Sequence, residues 1–327
     1  MKALVTGGTG FIGSEIVRQL LDDGAEVKVL ARPTSDTRNL DGLDVELAFG
    51  NICDGDSVRR ALDGCDTLFH SAAYFTHWST DRQRFYDVNV GGTRTTLQAA
   101  LDVGVDKVVY TSTNNAIGAY GGTPSDEDVV FNYWQTGDHY SISKYFAEVE
   151  AWRMGAKGLP VVVVNPTLVV GERDARPTSS GALIIEVAKG KLPVYTDGWV
   201  NVVDVIDVAQ GHVFAAKKGR VGERYLLGNQ NLTVGEYFGL IAEAAGVAPP
   251  RFKAPTAAAI AVAHLYELQS RFTHQHPTAT VSEVRIGALG ETYVSTKAVT
   301  ELGFAQTPVR QSLERAVRWF RSNGYLD

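Results

Sequence analysis

Lys2-Ala3-Leu4-Val5-Thr6-Gly7-Gly8-Thr9-Gly10-Phe11-Ile12-Gly13 runs from a short apolar stretch straight into glycines. Residues 13–21 then carry Ile16, Val17, Leu20 and Leu21 at helical spacing, so the glycines occupy the turn between a first strand and a first helix. A sharp change of direction, the close approach of an anion to the main chain, and tight packing of helix on strand each favour a residue without Cβ. The start of the helix adds free N–H groups and a partial positive charge, which suit a pyrophosphate. A tight turn without any ligand would also use glycine. Its place at the first strand–helix junction of an alternating chain favours a bound dinucleotide.

Outward from that turn, residues 3–6, 27–31, 45–49, 67–70, 107–112 and 160–165 read as strands, several of them almost wholly apolar. Strands of that kind are buried on both faces, as in a parallel sheet covered by helices. Helical spacing recurs at 92–103 and 143–154. The alternation predicts an α/β fold, a doubly wound parallel sheet of the Rossmann type, forming a dinucleotide-binding domain over residues 1–165. After Pro166 the regular period is lost, and Gly-, Pro- and Ser-rich joints such as 175–181 separate shorter elements. Helices are expected at 181–189, 205–217, 234–245, 255–272 and 309–322. They make up a smaller, mostly helical C-terminal substrate domain over 166–327, with a segment near 199–222 returning to the first domain.

The 327 residues are 44% hydrophobic and 21% charged, the make-up of a chain that folds throughout. Thirty-one Lys and Arg against 37 Asp and Glu leave a net charge of −6, without a dense basic run, which argues against nucleic acid or an anionic membrane as partner. Two cysteines, Cys53 and Cys65, cannot form a disulfide framework and suit a reducing compartment. No leader-like pattern opens the chain, and the apolar run at 257–265 is far shorter than the ~20 residues of a spanning helix. A cytoplasmic protein without stable membrane insertion is expected. His274-Gln275-His276 has no Cys or carboxylate at ligand spacing, so no metal is expected. The helix at 255–272 has no basic face and is expected to serve the core or a dimer contact.

The second strand ends in Leu30-Ala31-Arg32-Pro33-Thr34-Ser35, where an acidic residue would hold an adenosine ribose 2′-hydroxyl. No carboxylate stands there. Arg32 suits a 2′-phosphate and Ser35 adds a hydroxyl, which favours NADP(H) over NAD; an exposed Arg that merely closes the strand is the alternative. Further on, Tyr140-Ser141-Ile142-Ser143-Lys144 opens a helical stretch and puts Tyr140 and Lys144 on one side. A phenol is a poor acid or base at neutral pH, and a nearby ammonium together with a positive nicotinamide ring would draw it toward the working range. Val108-Val109-Tyr110-Thr111-Ser112-Thr113 ends in hydroxyls at the edge where such folds hold ligands. Thr113, preferred over Ser112, can hold a substrate oxygen while the phenol exchanges its proton, although strand-end hydroxyls also serve as plain turn formers.

Taken together, the glycine turn, Ala72-Ala73, Asn89-Val90-Gly91-Gly92-Thr93, Thr111-Ser112-Thr113, Tyr140-xxx-Lys144 and Asn165-Pro166-Thr167 resemble the extended short-chain dehydrogenase/reductase family over nearly the whole chain. Tyr140 to Glu148 and Ser295 to Phe304 look most like its branch of dihydroflavonol-4-reductase-like and hopanoid-associated sugar epimerase-like proteins. The resemblance implies that Gly7, Thr9, Gly10, Phe11, Ile12 and Gly13 cradle the pyrophosphate and that Asn51 and Ile52 flank the adenine. Asn51 stands where relatives often have Asp. By the same resemblance Ala72, Ala73 and Asn89 belong to the cofactor groove, and Pro166 and Thr167 lie beside the nicotinamide carboxamide. Lys144 would hold the nicotinamide ribose, Tyr140 would be the general acid or base, and Thr113 would orient the reacting oxygen. A homodimer through the helices that contain Thr93 and Tyr140 is implied as well.

Two departures choose among relatives. Nucleotide-sugar dehydratases in the family place Asp-Glu after the catalytic Thr; here Asn114 and Asn115 stand there, so dehydration is not expected. Nucleotide-sugar epimerases carry an Arg where this chain has Val200, next to Trp199. Tyr74, Phe75, His77, Trp78, Tyr133, Trp134 and Trp199 fall on expected loops and suggest a hydrophobic pocket, although each could instead seal the domain interface. The expectation is a reversible NADP(H)-dependent reduction of a ketone or aldehyde on a hydrophobic or ring-bearing small molecule. An NAD-dependent nucleotide-sugar epimerase, a 3β-hydroxysteroid-type dehydrogenase and a non-catalytic dinucleotide binder are the alternatives.

Overall fold

Val161, Val162, Val163 and Val164 are all fully buried, Val162 and Val164 on one side of a sheet and Val161 and Val163 on the other. An unbroken apolar strand is what burial on both faces requires. The computed structural model describes residues 1–76, 78–273, 277 and 279–327; His77 and His274-Gln275-His276 lie outside the described residues. The chain runs β1 (Lys2–Thr6), α1 (Phe11–Asp22), β2 (Glu26–Ala31), β3 (Glu46–Phe49), α2 (Gly55–Leu62) and β4 (Thr67–His70). It continues through α3 (Gln83–Phe85), a π-helical stretch at Tyr86–Gly92, α4 (Thr93–Val103), β5 (Lys107–Thr111), α5 (His139–Gly155) and β6 (Val161–Pro166).

After β7 (Leu168–Val170), α6 (Ser179–Ala188), β8 (Val194–Thr196) and β9 (Trp199–Asp204), α7 (Val205–Lys218) and β10 (Arg224–Leu227) return to the large sheet. Its order is β10-β6-β5-β4-β1-β2-β3, with every pairing parallel. The order reverses between β1 and β4, and ligands bind at such a switch point, off the carboxyl ends of the strands. Ile16, Val17 and Leu20 of α1 and Val208 and Val213 of α7 cover one face. Val58 and Leu62 of α2, Leu97 of α4 and Ala147, Ala151 and Met154 of α5 cover the other.

The remaining elements are β11 (Gln230–Thr233), α8 (Val234–Ala245), β12 (Phe252–Ala254), α9 (Thr256–Thr273), α10 (Val281–Ala288) and α11 (Val309–Ser322). β11, β9 and β7 form a second sheet, and β12 pairs with β8. Tyr237, Ile241, Leu313, Val317 and Phe320 join α8 and α11 over it in a separate core. The doubly wound sheet with a helical C-terminal region is therefore present as the alternation of apolar runs predicts.

Differences are local. The helix expected from residue 143 begins at His139, because the Asp138 side chain accepts from the Ser141 N–H and starts the turn earlier. β7, β8 and β12 have three residues each, too few to show a period. α9 does not bury itself as a core helix: Ala263 and Ser270 are buried, while Val262, Leu265, Leu268 and Phe272 face outward. No helix among the described residues is long and apolar enough to cross a membrane.

Candidate active site

The glycine turn divides into positions the protein itself demands and one it does not. Gly7 has φ +75°, and a Cβ there would sit 2.7 Å from the Ala72 nitrogen; at Gly13 it would sit 2.1 Å from the Gly7 carbonyl oxygen. At exposed Gly10 a Cβ would meet only that same oxygen, at 3.3 Å. Gly10 also heads α1 without a side-chain cap, which leaves the N–H groups of the first turn to be met from outside. Open space over an uncapped helix start fits a phosphate. From behind, Asn39 donates to the Thr9 carbonyl at 3.3 Å and Arg18 donates to the Asn39 carbonyl at 2.9 Å, so the turn is braced. Phe11 is buried beneath it and Ile12 half-buried.

Around this turn the other expected cofactor residues are spread along the strand ends. Arg32 is exposed after β2, and its guanidinium pairs with no carboxylate among the described residues; its N–H donates to Ser35 Oγ at 3.1 Å. Asn51 accepts from the Cys53 N–H at 3.0 Å, and Ile52 fills the space where Gly92 lacks a Cβ. The Ala72 N–H donates to Thr6 Oγ1 at 3.3 Å, and Ala73 is exposed. Asn89 is buried, with its amide on both the N–H and the carbonyl of Tyr74 and on Ser143 Oγ. It thereby ties the loop after β4 to α5. Pro166 ends β6, and Thr167 donates to Asn201 Oδ1 at 2.9 Å.

Thr113 stands just past the carboxyl end of β5, and its hydroxyl acts on the Tyr140 phenol, lowering its pKa. The Asn165 amide holds the Thr113 carbonyl at 2.9 Å, and Phe75 packs edge-on against the Tyr140 ring with centroids 4.8 Å apart. Ser112 is engaged elsewhere, donating to buried Glu148 at 2.5 Å. Lys144 donates to the Thr111 carbonyl at 2.7 Å and to Tyr110 Oη at 2.9 Å. Beneath it a polar seam runs from Tyr110 through Thr93 to His70 Nε2 at 3.1 Å, and from His70 Nδ1 to Thr6 Oγ1 at 2.7 Å. Burial, reinforced by the Lys144 charge, pulls His70 down to about 3, so its imidazole is neutral.

The pKa shifts differ from the sequence expectation. Burial pushes the Tyr140 phenol up and Asp138 adds to it, while the Thr113 hydroxyl opposes them. The net effect keeps the phenol protonated instead of drawing it toward neutrality. Burial pulls the Lys144 ammonium down to about 7, opposed by Glu148.

The six described aromatic positions do not behave as one pocket lining, and His77 lies outside the described residues. Phe75 adjoins Tyr140, and Tyr74 packs at a tilt against Phe85. Tyr133 is fully buried, and Trp134 packs against Tyr145 and Phe146 on the flank of α5. Trp199 opens β9 opposite Thr233. Sequence reasoning missed His70, Thr93 and Tyr110 under Lys144, and it missed Glu291, which reaches Asn114 from the C-terminal region at 3.2 Å. Thr93 and Tyr110 lie in stretches singled out for other reasons, and no local pattern marks His70 or Glu291. Among the described residues, no three of His, Cys, Asp and Glu gather as a metal site would need.

The model of the NAD dependent epimerase/dehydratase family matches residues 3–228. The chain belongs to this family. It is 35% identical to the putative dihydroflavonol 4-reductase of Synechocystis sp., over 98% of this chain and 95% of that one. It is also 35% identical to sterol demethylase protein B of Methylococcus capsulatus, with 100% of both covered. PA4631, a nucleoside-diphosphate-sugar epimerase from Pseudomonas aeruginosa, matches its structure with a TM-score of 0.84 at 29% identity, over 100% of this chain and 99% of that one. As a family member the protein is an NAD(P)-dependent oxidoreductase acting on CH–OH or carbonyl groups.

The two kinds of glycine are separable by experiment. Gly13→Ala should destabilise the fold by about 1–3 kcal/mol in urea denaturation, because backbone has to move. Gly10→Ala should leave stability within about 0.5 kcal/mol and weaken dinucleotide binding about tenfold by calorimetry, since the new methyl group enters the open space. Lys144 gives a pH signature. With an ordinary value of 10.5 and a folded value of about 7, the unfolded chain holds a proton that the folded one releases over that window, so stability rises with pH across it. Lys144→Met should gain stability on the wild type at pH 7 and lose the advantage as pH approaches 10, measured by denaturation at both.

Proposed function

We propose that the protein reduces a ketone or aldehyde to an alcohol, reversibly, with Tyr140 as general acid and base. The observation that carries this reading is the Tyr140–Thr113 hydroxyl pair at the carboxyl edge of β5, with the phenol held protonated. A phenol in that state is a proton donor for an oxygen that gains negative charge, and Thr113 is placed to orient that oxygen. When bound, the dinucleotide supplies the hydride in reduction and accepts it in the reverse direction. Lys144 is held between Tyr110 and Thr111, one helical turn from Tyr140, where it serves the ribose hydroxyls and the charge balance of the phenol. Gly7, Thr9, Gly10, Phe11, Ile12 and Gly13 hold the pyrophosphate, with Asn51, Ile52, Ala72, Ala73, Pro166 and Thr167 along the rest of the cofactor; Asn89 acts by holding the Tyr74 loop. NADP(H) is preferred to NAD, on the support of an Arg32 that pairs with no carboxylate among the described residues and of the lack of an acid at residues 32–35.

The substrate is a hydrophobic small molecule bound by the C-terminal region. Phe75 beside Tyr140 supports that choice, as does the relative named for dihydroflavonol reduction. Asn114 and Asn115 favour simple reduction over dehydration, and Val200 weighs against a nucleotide sugar. We take the protein to work in the cytoplasm as a homodimer, a pairing supported by exposed Phe146 and Val149 on α5 next to α4.

Purified protein should oxidise NADPH with at least one member of a panel of aryl and alicyclic ketones and aldehydes. Tyr140→Phe should lower that rate by about 10²–10⁴. Cofactor that survives purification, with UDP-sugar interconversion and no carbonyl-dependent turnover, would replace this reading with the epimerase. Arg32→Ala should cut the preference for NADPH over NADH about tenfold or more, the loss of one charge-assisted hydrogen bond.

A further inference from the structure

Asn201, on β9, is a buried amide with every hydrogen-bonding position filled. Its Oδ1 accepts from the Asn229 N–H at 2.9 Å and from the Thr167 hydroxyl at 2.9 Å. Its Nδ2 donates to Asn231 Oδ1 at 2.7 Å and to the Tyr293 carbonyl at 3.3 Å, with the Asn229 carbonyl at 3.4 Å. Gly228 is what lets these groups meet. A Cβ there would stand 2.4 Å from Asn201 Oδ1 and 2.9 Å from Thr167 Cγ2. Thr167 follows the end of β6, so a residue at the ligand-holding edge of the large sheet is gripped by an amide of the second sheet.

Backbone groups fix which way this amide faces. The Asn229 N–H only donates and the Tyr293 carbonyl only accepts, so the oxygen of Asn201 faces the first and its nitrogen the second. Asn231 is fixed in the same manner: its Oδ1 accepts from the Tyr293 N–H at 2.9 Å, and its Nδ2 donates to the Tyr293 carbonyl at 2.9 Å. An amide oxygen has no hydrogen to give, so the single hydroxyl proton of Thr167 goes to Asn201. Thr167 is left with lone pairs alone, and no group among the described residues donates to them.

We propose that Asn201 is a positioning residue that sets specificity: it takes up the Thr167 hydroxyl proton, so that Thr167 can only accept and selects a ligand that presents an N–H. This rests on the cofactor placement proposed above, in which Thr167 lies beside the nicotinamide carboxamide. The amino end of that carboxamide is the donor that Thr167 lacks. By accepting from it, Thr167 holds the nicotinamide ring against rotation about the bond to its ribose. The C-terminal region thus governs the cofactor through one hydroxyl, without supplying a contact of its own.

The test is calorimetric binding of NADP⁺ and of NAD⁺, each against its 3-acetylpyridine analogue, in which a methyl group replaces the amino group and the carbonyl is kept. The wild type should bind the parent cofactor about tenfold more tightly, the effect of one hydrogen bond lost with its acceptor left unmet. Thr167→Ser keeps the hydroxyl and should keep that preference, whereas Thr167→Val should bring parent and analogue within about twofold. Asn201→Ala frees the Thr167 hydroxyl to donate to the carbonyl that both ligands carry, and should level them in the same way. Asn201→Leu keeps more of the volume and gives the same readout if the alanine variant unfolds on thermal denaturation. A wild type indifferent to the acetyl group would overturn the proposal, as would an undiminished preference in Thr167→Val or in a folded Asn201 variant. Sugar epimerisation in place of carbonyl reduction would sink the functional reading and leave this preference standing.

Discussion

Glu148 brings one buried carboxylate to the meeting point of α5 with β5, β6 and β10. Its Oε2 accepts from Ser112 at 2.5 Å and Asn165 at 2.8 Å, and its Oε1 pairs with Arg224 at 2.9 Å. A buried charge stripped of one partner costs about 3–5 kcal/mol, so these contacts hold together or fail together. They index the helix that carries Tyr140 and Lys144 against the ends of two neighbouring strands and the start of a third. Asn165 passes the constraint on, because the amide that reaches Glu148 also reaches the Thr113 carbonyl. The spacing of Tyr140 from Thr113 is thus set below the site.

A second constraint runs crosswise. Thr6, His70, Thr93, Tyr110 and Lys144 link β1, β4, α4, β5 and α5 in one buried polar seam. A neutral imidazole has one donor and one acceptor, so His70 relays the orientation of one hydroxyl to the next. Satisfied networks of this kind stiffen the core around them. The glycine turn at one end and the lysine at the other are therefore parts of one rigid frame, although 130 residues separate Gly13 from Lys144 in the sequence.

Local patterns in the sequence carry the large sheet well, because each strand is a short apolar run and each helix shows its own period. The glycine turn was legible because its glycines cluster at one strand–helix junction: Gly13 is forced by Gly7, six positions away, although Gly7 is forced by Ala72 from beyond β4. What could not be read is what depends on distant pairing. Glu148 finds its partners 17, 36 and 76 positions away. Asn114 and Asn115 read as the loss of acids beside Thr113, yet folding returns a carboxylate to that spot from residue 291. The raising of the Tyr140 phenol by its surroundings was hidden on similar grounds, since burial is a sum over many residues that no spacing rule reports. The short strands of the second half stayed hidden because three residues have no period.

β10 enters the large sheet only after the chain has built three strands and a helix of the other half, and its sole strand partner among the described residues is β6. A fragment ended before β10 would leave the four-valine strand as a bare edge with unpaired backbone groups on one side. Such an edge is a template for another copy of itself. Swapping the C-terminal half between relatives thus moves more than a binding surface: it removes the strip that seals the sheet, and exchange points have to keep α7 and β10 with the first half to preserve solubility.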